Sequence, residues 1–161
     1  MPITFRTIQA SDNEQLAKII RTSLEDFNVP KIGTAHSDPT TDDLFKLFQT
    51  AGSFYLVAEE NGQLLGGSGI YPTEGLPEGC AELVKLYLSK NARGKGIGKQ
   101  LLEKCFESAR QLGYHQLYLE TLPQLAQAVS MYEKAGFKAL DAALGNSGHF
   151  ACNIWMLKTL D

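Results

Sequence analysis

Hydrophobic and polar positions in the first third of the chain follow two different periods. Residues 4–8 alternate polar and apolar side chains, which predicts a first strand. Apolar residues then recur at helical spacing and predict a helix over 12–26, with Ser11–Glu14 as a capping box at its start. Residues 29–39 contain two prolines and have no regular period, so we expect a loop there and a short helix after it.

A β-hairpin is predicted in the middle of the chain. Strand patterns over 53–60 and 63–71 are joined by Asn61-Gly62, a dipeptide preferred in tight hairpin turns. The second strand contains three glycines, Gly66, Gly67 and Gly69. Glycine weakens a strand unless another backbone or a ligand approaches it closely. The hairpin therefore predicts a close approach at these glycines.

The C-terminal half alternates strands with longer helical patterns. The predicted elements are a strand over 81–88, a helix over 96–112, a strand over 115–121, a helix over 124–135, and strands near 137–142 and 150–158. Gly113 stands just past the first of these helices, where glycine is favoured. The order predicts an α+β or mixed α/β fold with a strand–helix–strand unit at its centre.

Composition narrows the class of protein. A length of 161 residues with 43% hydrophobic and 20% charged residues predicts a single globular domain over residues 1–161. The net charge of −3 argues against nucleic-acid binding through bulk positive charge. No apolar run approaches the length of a membrane span and residues 1–10 lack a signal-peptide core, so we expect a cytoplasmic protein without a membrane partner. The three cysteines form no CxxC pair, so neither a disulfide framework nor a metal site is predicted.

A glycine-rich, cationic segment separates the predicted strand over 81–88 from the helix over 96–112. Its sequence is Arg93-Gly94-Lys95-Gly96-Ile97-Gly98-Lys99. Small residues let the backbone approach a ligand, and the amides of a first helical turn are donors at the positive end of the helix dipole. The segment therefore predicts a pyrophosphate-binding site. A tight turn without a ligand is the alternative.

Two common nucleotide-binding motifs do not fit this segment. The dinucleotide motif GxGxxG requires glycine where Lys99 stands. The P-loop motif requires glycine at Arg93 and a hydroxyl residue at Gln100. Both nucleotide interpretations are weakened by these mismatches.

Three segments, in order and with matching spacing, resemble the GCN5-related N-acetyltransferase (GNAT) superfamily. Residues Glu82–Leu88 and Arg93–Gly98 resemble its acyl-CoA motif, a strand followed by the loop [Q/R]xxGx[G/A], and Tyr132–Phe137 resembles its closing motif on the last helix. The match spans about residues 54–137. The resemblance implies the family's acyltransferase fold: a central, mixed, mostly antiparallel twisted sheet with a splayed parallel pair, flanked by helices.

The resemblance also implies acetyl-CoA, or another short acyl-CoA, as the donor. The implied cofactor-binding residues are Leu86, Tyr87, Leu88, Arg93, Gly94, Lys95, Gly96, Ile97, Gly98, Lys99 and Tyr132. The loop amides would hold the pyrophosphate, and pantetheine would pair with the strand as an added strand does. The backbone of Leu88 would bond pantetheine, and the amide of Leu86 would polarise the thioester carbonyl.

Acetyl transfer to an amine requires a base, a donor for the oxyanion and an acid for the thiolate. By resemblance, Glu82 matches a glutamate base of several family members, Leu86 supplies the oxyanion donor, and Tyr132 matches the tyrosine near the departing sulfur. The alternatives are a solvated glutamate at a strand start and a core tyrosine. The family often has an asparagine seven residues before that tyrosine; here the position is Leu125, and Gln124 or Gln127 is the substitute to test.

The resemblance places the acceptor beside residues 29–39, which match a variable segment lining the family's acceptor site. Glu25, Asp26 and Asp38 flank this loop, His36 lies in it, and these carboxylates would attract a cationic acceptor. We expect an N-acetyltransferase acting on the primary amine of a small-molecule, amino-acid-like or peptide acceptor. A catalytically silent acyl-CoA sensor or interaction module is the alternative. Family members frequently dimerise through C-terminal strands, so a homodimer is included among the expected assemblies.

Overall fold

A computed structural model describes residues 2–160 of the chain, and the strands found there form one sheet. The strands are β1 (Thr4–Thr7), β2 (Phe54–Glu60), β3 (Gln63–Tyr71), β4 (Cys80–Leu88), β5 (Gln116–Thr121), β6 (Lys138–Leu140) and β7 (Ile154–Thr159). Their order across the sheet is β1-β2-β3-β4-β5-β7-β6. All neighbouring pairs are antiparallel except β4 and β5, which confirms the predicted mostly antiparallel sheet with one parallel pair.

Helices cover both faces of the sheet. The α-helices are α1 (Asn13–Asp26), α2 (Leu44–Leu47), α3 (Ile97–Gln111) and α4 (Ala126–Lys134). Short 3-10 helices lie at Ala10–Asp12, Pro39–Asp42, Lys90–Ala92 and Pro123–Leu125. Leu16 and Ile20 of α1 pack in one core cluster, whereas Leu102 and Phe106 of α3 pack in another. Apolar residues at helical spacing thus bury one stripe of each helix against the sheet.

The predicted capping box at Ser11–Glu14 is wrong. Asp12 occupies the helix start instead, and its carboxylate accepts a hydrogen bond from the Gln9 amide at 2.7 Å. Arg6 on β1 donates to the same carboxylate at 2.8 Å. The ion pair between Arg6 and Asp12 holds Asp12 at the helix start, and the capping pattern of residues 11–14 does not encode that contact.

The parallel pair separates after only three residues on each strand. Cys80–Glu82 pair with residues 116–118, and beyond that point the remaining residues of β4 and β5 are not paired with each other. The two strands therefore enclose a V-shaped gap, as the predicted splayed pair requires. Each wall of the gap presents strand backbone without a partner across it.

A β-bulge interrupts β4 beside this gap. Gly67 pairs with Tyr87 and Gly69 with Val84, so one residue of β3 faces both Lys85 and the residue after it. Lys85 has a φ of 55°, in the left-handed region that side chains other than glycine rarely adopt. The bulge turns the backbone of β4 at the widening point of the gap.

The glycines of β3 make room for Tyr55, whose ring crosses them to reach the bulge. A Cβ atom at Gly67 would lie 2.4 Å from this ring, and one at Gly69 would lie 2.6 Å from it. The Tyr55 hydroxyl donates to the Lys85 carbonyl at 2.8 Å. The close approach predicted from the glycines is thus a neighbouring side chain that stabilises the bulge.

Candidate active site

A cavity of about 310 Å³ follows the gap between β4 and β5. One end reaches the start of α3, and the other reaches Glu82, Glu120 and His149. All the predicted site residues line it except Lys95, which is exposed, and Ile97, which is buried in the core. The structure therefore joins the glycine-rich segment and the candidate base in one continuous space.

We call residues Arg93–Lys99 the anion loop. They lead into the first turn of α3, which begins at Ile97. Gly94 and Gly96 have φ values of 76° and 79°, a conformation that glycine adopts without strain. No side chain caps the first turn of α3. Lys95 and Lys99 are exposed next to these amides. Free helical amides with nearby cations suit an anion such as pyrophosphate.

The Arg93 side chain lines the cavity and contacts neighbouring groups of α1 and β4. Its Nη2 donates to the Ser23 hydroxyl at 3.1 Å and to the Leu88 carbonyl at 3.3 Å. It also lies 3.6 Å from Asp26, and its guanidinium stacks on the Phe27 ring at 4.8 Å. These contacts fix the end of β4 against α1. The exposed Lys95 and Lys99 are the cations left for the anion loop, and the role of Arg93 toward pyrophosphate stays a prediction.

At the other end, five ionisable side chains form what we call the charged cluster: Asp38, Glu82, Lys85, Glu120 and His149. Glu82 is only 3% exposed, and the Thr73 hydroxyl donates to it at 2.5 Å. Burial raises the pKa of Glu82 to about 7; Glu120 adds to this rise, while Thr73, His149 and Lys85 oppose it. A carboxylate with a pKa near neutrality can accept a proton at physiological pH.

Two loops bring Asp38 and His149 together in the charged cluster. Asp38 is hydrogen-bonded to the His149 ring at 2.9 Å, and its other oxygen accepts from the amide and hydroxyl of Thr40 at 2.9 and 2.7 Å. Burial raises the pKa of Asp38, but the bond with His149 and the Lys85 charge outweigh it, so the pKa lies below its ordinary value. Asp38 therefore carries a negative charge at the point where the two loops meet.

Glu120 faces the cavity from β5. It accepts hydrogen bonds from the Tyr118 hydroxyl at 2.6 Å and from the Ser147 hydroxyl. The amide of Leu144 donates to Tyr118 at 3.0 Å. These bonds hold the segment that contains His149 over the charged cluster.

Tyr132 is buried in the core and also lies on the cavity wall. It packs edge-on against Phe137 with ring centroids 5.8 Å apart, and it also lines the cavity. Within residues 2–160 its hydroxyl has no hydrogen-bond partner. Burial raises the pKa of this phenol above its ordinary value. Its hydroxyl is thus a neutral donor available to the cavity.

The structure separates the residues predicted around the acceptor. Of the flanking carboxylates, Asp38 joins the charged cluster, Asp26 pairs with Arg93, and Glu25 pairs with His36 at 2.8 Å. Leu125 and Gln127 both line the cavity, whereas Gln124 does not. Gln127 is therefore the candidate to replace the family's asparagine.

Sequence reasoning did not select Lys85, Glu120 or His149 as site residues. Lys85 and Glu120 are each a charged residue inside an otherwise apolar strand pattern, Leu83–Leu88 and 117–121 respectively. That pattern could have indicated them. His149 had no local signal, because its place depends on a loop contact 111 residues away in sequence.

The described residues give no support for a metal site or a membrane span. Among residues 2–160, no three His, Cys, Asp or Glu side chains are grouped so that they could hold a metal ion. No helix in the same range has the length and apolar character needed to cross a bilayer.

A splayed parallel pair, an open glycine-rich helix start and an acidic group along one cavity are the features expected of a GNAT-type acyltransferase. Residues 16–137 match the sequence profile of the acetyltransferase (GNAT) family. This chain belongs to that family and is an N-acetyltransferase.

Individual relatives extend this match over nearly the whole chain. The chain is 36% identical over 156 residues to the uncharacterized N-acetyltransferase YjgM of Escherichia coli K12, covering 96% of this chain and 93% of YjgM. A GNAT-family acetyltransferase of Staphylococcus aureus Mu50 superposes with a TM-score of 0.88 at 22% identity, covering 99% and 100% of the two chains. YncA of Salmonella typhimurium, solved with acetyl-CoA, superposes with a TM-score of 0.78 at 20% identity, covering 100% of this chain and 95% of YncA. The expected fold is confirmed.

Replacing Tyr55 by phenylalanine tests the contribution of the bulge to the active site. The variant leaves the buried Lys85 carbonyl without its donor, which should lower the free energy of unfolding by about 1–3 kcal/mol. Because the bulge sets the position of the cavity wall, we expect kcat/KM to fall about tenfold as well. Urea denaturation and steady-state kinetics measure the two effects.

The matched control is Tyr114→Phe, which removes a hydrogen bond from a tyrosine hydroxyl to the Gly52 carbonyl away from the cavity. It should lose stability and keep wild-type kcat/KM. Wild-type kcat/KM in Tyr55→Phe would contradict a positioning role for the bulge.

Proposed function

We propose that this enzyme transfers the acetyl group of acetyl-CoA to the primary amine of a small-molecule or amino-acid-like acceptor, by direct attack and without a covalent enzyme intermediate. The observation that supports this most is one cavity leading from the anion loop to the buried Glu82. We further propose that residues 1–161 act as one acetyltransferase domain. A cytoplasmic location and a homodimer stay predictions.

The donor is proposed to lie along the gap between β4 and β5. The anion loop amides suit the pyrophosphate, and Lys95 and Lys99 add positive charge. Pantetheine would pair with residues 86–88 of β4, where β5 has already separated. Gln127 lines the same gap and offers an amide for hydrogen bonding. The acetyl-CoA present in the YncA structure supports this choice of donor.

The proposed reaction assigns one task to each of three groups. Glu82, as a carboxylate, takes a proton from the acceptor ammonium, directly or through water, and the free amine attacks the thioester carbonyl. The amide of Leu86 stabilises the oxyanion of the tetrahedral intermediate. As the C–S bond breaks, the Tyr132 hydroxyl hydrogen-bonds to the departing thiolate. The nitrogen of the tetrahedral intermediate loses its second proton to solvent. The thiolate takes one proton from solvent and leaves as CoA, and Glu82 returns its proton to solvent.

Release of CoA with a panel of primary amines tests this proposal. We expect acetyl-CoA to be consumed only when an accepted amine is present, with one equivalent of N-acetylated product for each CoA. Thiol titration and mass spectrometry measure the two products. Tight binding of acetyl-CoA with no CoA release across a broad amine panel would instead favour a silent acyl-CoA sensor.

A further inference from the structure

Lys85 is the buried charge that the proposed reaction leaves without a task. Its side chain is only 4% exposed and lines the cavity. Within residues 2–160 its Nζ makes no hydrogen bond, and it lies 3.6 Å from Asp38. A lysine ammonium has three donors, and buried donors are almost always satisfied in folded proteins. Lys85 thus forms an ion pair with Asp38, and its donors are available to a group that enters the cavity.

The backbone of β4 is strained at Lys85, where the bulge turns this side chain into the cavity. Side chains three residues apart on a regular strand point to opposite faces, so Glu82 and Lys85 would not share a cavity without the bulge. The bulge needs the positive φ of Lys85, the space over Gly67 and the hydroxyl of Tyr55. Strained conformations of this kind cluster at functional sites.

The neighbours of Lys85 balance its charge but leave its donors open. Asp38 is the nearest carboxylate, and its oxygens already bind His149 and Thr40. Glu82 and Glu120 are the other carboxylates of the charged cluster. Asp38 and Glu82 are the carboxylates whose charges act on Lys85, and they would repel a doubly charged phosphate more than a singly charged carboxylate. Of these two anions, the carboxylate is therefore the one that is repelled less.

We propose that Lys85 binds a carboxylate of the acceptor, so that the acceptor is a small zwitterion with its amine at Glu82 and its carboxylate at Lys85. This inference rests on the proposed function and narrows its substrate class to amino acids and similar amino carboxylates. Lys85 acts as a specificity residue, while Glu82 remains the proton acceptor.

Matched pairs of acceptors test the inference. The twenty L-amino acids and their carboxamides are compared by CoA release, because each pair differs only in the carboxylate. One or more amino acids will have a side chain that the enzyme accepts. For these, we expect the wild type to use the free amino acid with a kcat/KM at least about tenfold above that of its carboxamide. Lys85→Met should lower the ratio of kcat/KM for the acid to kcat/KM for the amide by about tenfold or more, mainly by raising KM for the acid.

Lys138→Met is the matched control, because Lys138 is exposed on β6 and outside the cavity. It should keep the wild-type ratio of acid to amide. Equal use of acid and amide by the wild type would overturn the inference. This comparison uses only the wild-type protein, so its result does not depend on whether a variant folds. An equal loss of both acceptors in Lys85→Met would overturn it too.

The proposed function and the inference fail in different ways. If amines are acetylated without a carboxylate preference, the function stands and the inference is wrong. If no compound releases CoA, calorimetry with CoA-loaded protein and N-acetylated amino acids decides the inference. Binding to the wild type that Lys85→Met abolishes would support it, and absence of binding to the wild type would overturn it.

Discussion

Replacing Glu82 by glutamine is expected to lower kcat/KM at pH 8 by about a hundredfold or more, because general base catalysis contributes on the order of 10²–10⁴. In the wild type, kcat/KM should rise with pH through about 7, the value to which burial raises the pKa of Glu82. The variant should lose this rise in kcat/KM near pH 7. It should keep the rise at higher pH that comes from deprotonation of the acceptor amine. Steady-state rates from about pH 5.5 to about pH 9.5 measure the effect, because this range brackets a group that titrates near neutrality.

The same variant should be more stable than the wild type at pH 8. Burial raises the pKa of Glu82 from 4.5 to about 7, so the folded protein holds this proton more tightly than the unfolded chain. This contribution to stability is complete below pH 4.5 and is lost as pH rises through about 7. Glutamine does not titrate, so the variant avoids this loss of stability, which is roughly 3 kcal/mol at pH 8.

Greater stability with lower activity would separate loss of the base from unfolding. Urea denaturation at acidic and alkaline pH gives the free energy of unfolding for both proteins. An unaltered pH profile in Glu82→Gln would exclude Glu82 as the base.

Replacing Tyr132 by phenylalanine should lower kcat at least about tenfold while acetyl-CoA binding is largely kept. Burial raises the phenol pKa above its ordinary 10, whereas a thiolate leaving group has a pKa near 8.5, so full proton transfer is unfavourable. The hydroxyl is expected to act through a hydrogen bond that strengthens as the sulfur becomes negative. Phenylalanine preserves the edge-on contact with Phe137, so the core should be little disturbed.

Single-turnover rates and acetyl-CoA titration separate the two effects of Tyr132→Phe. Tyr114→Phe serves again as the control that loses a tyrosine hydroxyl away from the cavity. Unchanged turnover in Tyr132→Phe would remove the tyrosine from the mechanism.

Elements set by local chemistry were predictable from the sequence. The Asn61-Gly62 hairpin forms as predicted, with positive φ at both residues, because the flanking strands require that turn. The strand–helix–strand unit around α3 also forms, because its apolar period is strong and Gly113 ends the helix. Each of these features depends on residues close together along the chain.

Features that depend on distant contacts were not predictable in the same way. The glycines of β3 indicated a close approach, but only the register shows that Tyr55 fills the space. Lys85 enters the cavity because a bulge reverses its expected side of the strand. Asp38 and His149 meet through two loops, and no local pattern encodes such a contact.

Glu82 and Tyr132 were selected through resemblance to the family, because a glutamate in a strand and a tyrosine on a helical stripe are otherwise ordinary. The structure shows what resemblance does not: Glu82 is buried with a raised pKa, and Tyr132 both packs in the core and lines the cavity. That combination supports their proposed roles, which the variants above test.

Binding of acetyl-CoA is the measurement that tests the central claim most directly, with NAD and ATP as controls. Saturation at about a hundred times Kd should add roughly 2.7 kcal/mol to the free energy of unfolding. For a chain of this size we predict that acetyl-CoA alone raises Tm by about 5–10 °C. No change in Tm with acetyl-CoA at millimolar concentration, or an equal rise with NAD or ATP, would contradict a donor site between β4, β5 and the anion loop.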